Sequence, residues 1–172
     1  MSKLIVMTGP CCVGKSEFVR QMEKRGELEG YDIVCPEDFY ELLNGSASDR
    51  FNRDAIWLQI WCHIMGNMTV GVNTIVDANA PTECSRTQYL EWFRDFDEYI
   101  LIQIDTNYDI LEKNNKKRIE RQLSDAELLK QFRNYESPCY DRHLLDWDEY
   151  RHFHSDGMGN FTIIDGWMKG EK

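Results

Sequence analysis

The segment Gly9-Pro10-Cys11-Cys12-Val13-Gly14-Lys15-Ser16 fits the pattern Gly-x-x-x-x-Gly-Lys-Ser/Thr in full. An aliphatic run over residues 3–8 precedes it and an amphipathic stretch over residues 15–25 follows it, so we predict that it connects a strand to a helix. In such a loop the backbone N–H groups surround phosphate oxygens, and the following helix points the positive end of its dipole at the same anion. The predicted nucleotide-binding residues are Gly9, Cys11, Cys12, Val13, Gly14, Lys15, Ser16 and Glu17.

Two side chains of this loop predict the chemistry of the ligand. Lys15 is placed to reach the β- and γ-phosphates of a nucleoside triphosphate, and the Ser16 hydroxyl is placed to ligate Mg²⁺. We therefore predict that the protein binds ATP and Mg²⁺, with GTP as an open alternative to ATP. Cys11 and Cys12 stand where small residues are usual. Although a helix N-terminus can lower a thiol pKa, we interpret them as small residues that fill the loop rather than as a redox sensor.

The rest of the chain alternates short apolar runs with longer amphipathic stretches. Further strands are predicted over residues 31–35, 73–76, 98–104 and 160–164. Further helices are predicted over residues 53–65, 85–96 and 108–135, the last with a break near Leu123, where Ser124 and Glu127 form a capping box. We predict an α/β fold in which a central parallel sheet of about five strands is flanked by helices, in a single domain over residues 1–172.

Composition and charge exclude several classes of protein. The 172 residues include 20 Lys and Arg against 30 Asp and Glu, a net charge of -10, which disfavours binding along an extended duplex. No apolar run reaches the roughly 18 residues of a membrane span, and we expect no membrane partner. We find no export signal near Met1 and expect a cytoplasmic protein whose cysteines, which include no Cys-x-x-Cys pair, are reduced thiols.

Acidic residues follow the second and third predicted strands. Glu37 and Asp38 come after the second strand, and Asp77 directly follows the third. Because the carboxyl ends of parallel strands line the ligand crevice, Glu37 or Asp38 is a candidate base that accepts the proton of an attacking hydroxyl. Asp38 could instead cap a helix. Asp77 is a candidate to hold Mg²⁺ or orient the acceptor, although with Asn79 it could simply form a turn.

A basic segment stands out in this acidic chain. Residues 113–121 hold five basic residues and one acidic residue. We predict a helix with Arg118 and Arg121 on one face, where a planar guanidinium suits the oxygens of a transferring phosphate. The alternative is an ordinary solvated helix face.

The phosphate loop, the acidic residues after the second strand and the Asp77-Ala78-Asn79 segment together make the sequence similar to the P-loop kinase superfamily. The more specific resemblance is to the small kinases related to phage polynucleotide 5′-hydroxyl kinase, with a second to uridine-kinase-like enzymes through Asp38-Phe39-Tyr40. The resemblance implies the P-loop NTPase/kinase fold, a catalytic base at Glu37 or Asp38, and a helical lid over residues 113–136 that carries Arg118 and Arg121 over the nucleotide. Polynucleotide kinases usually follow the base with an Arg that holds the phosphate of the acceptor, and Tyr40 occupies that place here.

These observations predict a Mg²⁺-dependent phosphotransferase that moves the γ-phosphate of ATP to a hydroxyl of a nucleic acid or nucleotide. The acceptor would be a 5′-hydroxyl or a hydroxyl on a modified base, single-stranded or extruded, and held through few phosphates. Two alternatives stay open: a kinase of a nucleoside or small metabolite, and a nucleotide-binding NTPase or switch without an acceptor. Asn115-Lys116-Lys117-Arg118 fails the guanine-reading Asn-Lys-x-Asp pattern of such switches at its last position. The oligomeric state stays open.

Overall fold

One six-stranded sheet forms the centre of the protein, for which a computed structural model describes residues 1–119 and 121–170. The strands are β1 (Lys3–Thr8), β2 (Tyr31–Val34), β3 (Asn73–Val76), β4 (Glu98–Asp105), β5 (Glu149–Ser155) and β6 (Phe161–Met168). Their spatial order is β2-β3-β1-β4-β5-β6, and every neighbouring pair is parallel except β5 and β6. The predicted α/β fold with a parallel central sheet is confirmed.

Helices cover both faces of the sheet. They are α1 (Lys15–Lys24), α2 (Pro36–Asn44), α3 (Arg53–Val70), α4 (Glu83–Trp92), α5 (Tyr108–Lys116) and α6 (Asp125–Arg133). On one face, Ile56, Ile60 and Ile64 recur every four residues along α3 and join a buried cluster with α4 and the sheet. A second cluster packs α1, α5 and α6 on the other face. None of the described helices has both the length and the apolar character needed to cross a membrane.

Two helical expectations need correction. The predicted break near Leu123 in the helical segment 108–135 is present, but it starts earlier than expected, since α5 ends at Lys116 and α6 begins at Asp125. The side chain of buried Asn115 holds the turn between the two helices, because it accepts from the Leu123 backbone N–H at 2.9 Å and donates to the Leu123 carbonyl at 2.7 Å. The predicted capping box at Ser124 and Glu127 is confirmed at the start of α6. The other correction is α2, which begins at Pro36 with Cys35 as its N-cap, so Asp38 lies inside the helix and does not cap it.

The bounds of two other helices also differ from the prediction. α3 runs on to Val70 rather than ending at residue 65, and α4 ends at Trp92 rather than at residue 96.

The carboxyl-terminal part of the sheet was largely missed by the sequence patterns. β5 was not predicted, since its segment Glu-Tyr-Arg-His-Phe-His-Ser has polar residues at most positions. Its pairing with β4 buries Tyr150 and turns His152 and His154 toward the end of β4. The last strand was predicted over residues 160–164 but extends over Phe161–Met168, and it runs antiparallel at the edge of the sheet with most of its residues exposed.

Candidate active site

The phosphate loop joins β1 to α1, as predicted, and two of its glycines meet conformational demands that other residues do not. Gly9 has a φ of 152°, and a Cβ there would lie 2.3 Å from the carbonyl oxygen of Ile104 on β4. Gly14 is the N-cap of α1 with a φ of 104°. Lys15 folds its amine back over the loop, where Nζ donates to the Gly9 and Pro10 carbonyls, both at 3.1 Å. The loop therefore holds a cation above its own backbone.

Asp77 lies at the tip of β3, which is the strand next to β1 in the sheet. Its side chain is 7% exposed, and this burial raises the carboxyl pKa, while the nearby Ser16 hydroxyl and Lys15 ammonium oppose the rise. Burial in turn lowers the pKa of Lys15, and the Asp77 carboxylate opposes that change. Three of the predicted site residues, Lys15, Ser16 and Asp77, therefore lie close together in the structure.

This donor set fits Mg²⁺, which prefers hard oxygen ligands and keeps several of its waters. Asp77 supplies a desolvated carboxylate beside the Ser16 hydroxyl, so that a cation would stabilise its charged form. Ser16 and Asp77 are therefore the residues that would hold the ion, directly or through water. When bound, the ion would neutralise charge on the β- and γ-phosphates.

Glu37 lies in the first turn of α2, and its carboxylate lies near two arginines that are distant from it in the sequence. Its Oε1 pairs with Arg121 Nη1 at 2.5 Å and lies 3.8 Å from Arg50 Nη2. Cys35 Sγ donates to Glu37 Oε2 at 3.3 Å, and burial beside this carboxylate raises the pKa of the Cys35 thiol to about 12. The neighbouring Asp38 is exposed and makes no ion pair in the part of the chain that the structure describes.

The two arginines of the basic segment do not lie on a helix, contrary to the prediction. α5 ends at Lys116, so Arg118 and Arg121 lie in the non-helical connection to α6, and the predicted shared helix face is wrong. Arg121 adopts a φ of 59° and reaches Glu37, whereas Arg118 Nη1 lies 3.8 Å from Cys11 Sγ on the phosphate loop. The turn held by Asn115 therefore places Arg121 beside Glu37 and Arg118 beside the phosphate loop.

Some polar groups near the strand ends were missed by sequence reasoning. Arg50 stacks on the Tyr40 ring, with its guanidinium carbon 4.3 Å from the ring centroid. Its loop between α2 and α3 carries no motif that could have found it. Asp105 ends β4 and contacts His152 Nε2 at 2.8 Å and His154 Nδ1 at 2.7 Å.

The sequence could have indicated Asp105 as a site residue, because it is an acid at the end of an apolar strand, as Asp77 is. The described residues contain no group of three or more His, Cys, Asp or Glu side chains arranged to bind a metal.

An open cavity of about 470 Å³ lies beside the phosphate loop, on the side of β5 and β6. It is lined by Gly14, Glu17, Arg20, Asn114, Lys117, Ser155, Gly157, Met158, Gly159 and Phe161. This volume lies in the range of small-molecule sites. Its wall is formed partly by the loop between β5 and β6, which the sequence patterns did not assign.

Comparison with known proteins identifies the family. The model of the AAA domain family matches residues 4–138, from β1 to the turn after α6. The chain belongs to this family. The match leaves β5 and β6 outside it, and no curated protein is significantly similar to the chain in sequence.

Solved structures share the fold of this AAA domain protein at low sequence identity. A chain of the Pnkp1/Rnl/Hen1 RNA repair complex is 19% identical with a TM-score of 0.65, over 77% of this chain and 43% of that one. A chain of the PezAT toxin–antitoxin system of Streptococcus pneumoniae is 12% identical with a TM-score of 0.70, over 96% and 72% of the two chains. A gluconokinase from Sinorhizobium meliloti 1021 is 14% identical with a TM-score of 0.57, over 90% and 83%.

This chain therefore spans less than half the length of the RNA repair chain that it resembles. The shared fold and the family match confirm the predicted membership of the P-loop kinase superfamily.

Proposed function

We propose that this protein is an ATP- and Mg²⁺-dependent phosphotransferase whose acceptor is a hydroxyl of a nucleotide or nucleic acid. The observation that carries the proposal is the carboxylate of Glu37, which stands at the strand-end edge of the sheet with a guanidinium from Arg121 bound to it. A phosphate loop alone would serve an NTPase, whereas a kinase also needs a base for the acceptor hydroxyl. Glu37 is that base in our proposal.

The remaining roles follow from position. Lys15 and the loop N–H groups hold the β- and γ-phosphates, and Ser16 and Asp77 hold Mg²⁺. Arg118 and Arg121 stabilise the charge that spreads over the transferring phosphoryl group. The nucleoside of ATP occupies the cavity beside the loop, whose volume of about 470 Å³ is sufficient for it.

The acceptor is proposed to carry a phosphate close to the reacting hydroxyl. Arg50 supports this, because its guanidinium lies on the ring of Tyr40 and within 3.8 Å of Glu37. Tyr40 occupies the place where polynucleotide kinases usually have the Arg that holds such a phosphate, and Arg50 would replace that cation from the next loop. Few further contacts are expected, since the net charge of -10 opposes binding along a duplex.

A small-molecule acceptor is the second candidate function. The gluconokinase from Sinorhizobium meliloti matches over 83% of its own length, whereas the RNA repair chain matches over only 43%. A polyol acceptor would be held by hydrogen bonds and would make no use of the Arg50 cation.

Transfer from labelled ATP to a panel of acceptors tests both candidates. The panel contains nucleosides, nucleotides, single- and double-stranded DNA and RNA, and sugars that include gluconate. We expect transfer to nucleotide-containing acceptors, and Arg50→Ala should raise the KM only for acceptors with a phosphate beside the hydroxyl. Transfer to sugars alone would replace the first candidate with the second.

Lys15→Ala serves as the test of the phosphate loop. It should lower the rate about 10²-fold or more, because the amine stabilises charge in the transition state. The fold should persist, since the shape of the loop depends on its glycine conformations and not on the Lys15 amine. Near wild-type transfer by a variant with native circular dichroism would refute the proposed role of the loop.

A further inference from the structure

The phosphate loop contains two adjacent thiols whose sulfurs nearly touch. Cys11 Sγ and Cys12 Sγ are 3.7 Å apart, with Cys12 buried at 6% exposure and Cys11 half-buried. Cys12 Sγ also lies 3.8 Å from Asn115 Oδ1, and Asn114 Nδ2 donates to the Cys12 carbonyl at 3.0 Å. The start of the basic segment therefore holds this thiol pair in place.

The surroundings of the pair favour one thiolate and one thiol. The charged and titratable groups that face Cys11 are Cys12, Arg118 and Lys15. The hydrogen bond donated by Cys12, together with the positive charges of Arg118 and Lys15, lowers the pKa of Cys11 to about 5. The same hydrogen bond and burial raise the pKa of Cys12. A thiolate with a neighbouring thiol is the arrangement of an oxidisable pair.

We propose that Cys11 and Cys12 form an oxidation site for hydroperoxides within the phosphate loop, and that its oxidation prevents nucleotide binding. The Cys11 thiolate attacks the terminal peroxide oxygen, the O–O bond breaks, and the departing alkoxide or hydroxide takes a proton. Sulfur is oxidised to a sulfenic acid and the peroxide is reduced to an alcohol or water. Cys12 then attacks the sulfenic sulfur, an S–S bond forms, the S–O bond breaks, and the hydroxide leaves as water with the Cys12 proton. A dithiol reductant reverses the change.

The loop cannot keep its shape in the oxidised pair. The sulfurs must approach from 3.7 Å to the roughly 2.05 Å of a disulfide, whereas adjacent Cα atoms joined by a trans peptide are only about 3.8 Å apart, less than the roughly 4.4 Å that an unstrained disulfide needs. Cys12 already has a φ of 67°. The backbone between the two residues must therefore turn, and its N–H groups belong to the phosphate cradle. This second part of the proposal rests on the nucleotide binding proposed above, whereas the oxidation of the pair does not.

Mass spectrometry of the reduced protein after limiting hydrogen peroxide tests the oxidation directly. We expect the peptide that contains Cys11 and Cys12 to lose two hydrogens before the exposed Cys62, Cys84 and Cys139 are modified. In Cys12→Ala, a sulfenic acid trapped by a 1,3-diketone should accumulate at Cys11. Oxidation of the exposed cysteines while the pair stays reduced would overturn the proposal.

Alkylation by iodoacetamide gives an independent signature that needs no variant. Between pH 6 and pH 8, the rate at Cys11 should rise much less than the rate of free cysteine, because the lowered pKa leaves a larger share of this thiol ionised at pH 6. Free cysteine in the same mixture should react about 75-fold faster at the higher pH, since its pKa is about 8.5. A Cys11 rate that rises with pH as free cysteine does would contradict the ionised state of the pair.

The effect on nucleotide is measured with Mg-ATP on reduced, oxidised and re-reduced protein. Oxidation should weaken binding about tenfold or more through lost hydrogen bonds to phosphate, and dithiothreitol should restore it. Cys62→Ser, on the exposed side of α3, should retain this sensitivity, whereas Cys12→Ala should show no disulfide-dependent loss. An oxidised pair with unchanged affinity would overturn the blocking step. A reduced protein without any ATP binding would instead refute the proposed function, while the mass measurement still decides whether the pair is an oxidation site.

Discussion

Glu37→Gln should separate catalysis from stability. The substitution preserves the shape of the side chain but removes the proton acceptor and the ion pairs with Arg121 and Arg50. The Glu37 and Arg121 side chains are each 30% exposed, so solvent screens the pair and its loss should cost at most about 1 kcal/mol of folding free energy. Loss of a general base should cost about 10²–10⁴-fold in rate, or about 3–5 kcal/mol in the transition state.

The assay compares kcat, ATP affinity and the melting temperature for three variants of α2. Glu37→Gln should retain ATP affinity and lose transfer. Glu41→Gln, an exposed carboxylate one turn further along the helix, is the matched control and should leave all three unchanged. Asp38→Asn removes an exposed first-turn charge and should lower stability by about 0.3–1 kcal/mol with little effect on rate. If Asp38→Asn abolishes transfer while Glu37→Gln does not, the assignment of the base is wrong.

Three further predictions concern the lid, the core and the acceptor. Arg118→Ala and Arg121→Ala should lower kcat more than ATP affinity, because they act on charge that develops in transfer; a lower melting temperature with an unchanged rate would show a purely structural role. Asp141→Asn should lower the free energy of unfolding in urea by about 3–5 kcal/mol, because Asp141 and Arg86 form a bidentate pair at 2.6 Å with side chains 5% and 1% exposed. A loss below about 1 kcal/mol would show that Arg86 finds other partners. The logarithm of acceptor affinity should fall with the logarithm of salt concentration, with a slope that corresponds to about one to three phosphate contacts. A steep slope with strong duplex binding would refute the proposal that the acceptor is held through few phosphates.

Local patterns predicted the parts of the fold that depend on neighbouring residues. The strand, loop and helix over residues 3–25 were predicted within one residue of their bounds, because the glycines, the lysine and the aliphatic run act on the same short stretch. The Ser124 and Glu127 capping box was likewise predicted, since both of its hydrogen bonds are local. The strand β5 was missed, because its polar side chains become favourable only when they meet Asp105 and Gln103 of β4.

Local sequence patterns were sufficient to predict a phosphate loop on an α/β sheet and an acid at the tip of the third strand. Which groups surround that loop depends on how distant segments pack together. Arg121 reaches Glu37, and Arg118 reaches Cys11, through a non-helical turn that the side chain of Asn115 holds. A periodic pattern predicts a helix from the average preference of its residues, but a turn made by one buried amide depends on a contact that exists only after α5 and α6 pack on the sheet. The position of each arginine is therefore a property of the packed molecule rather than of its own segment.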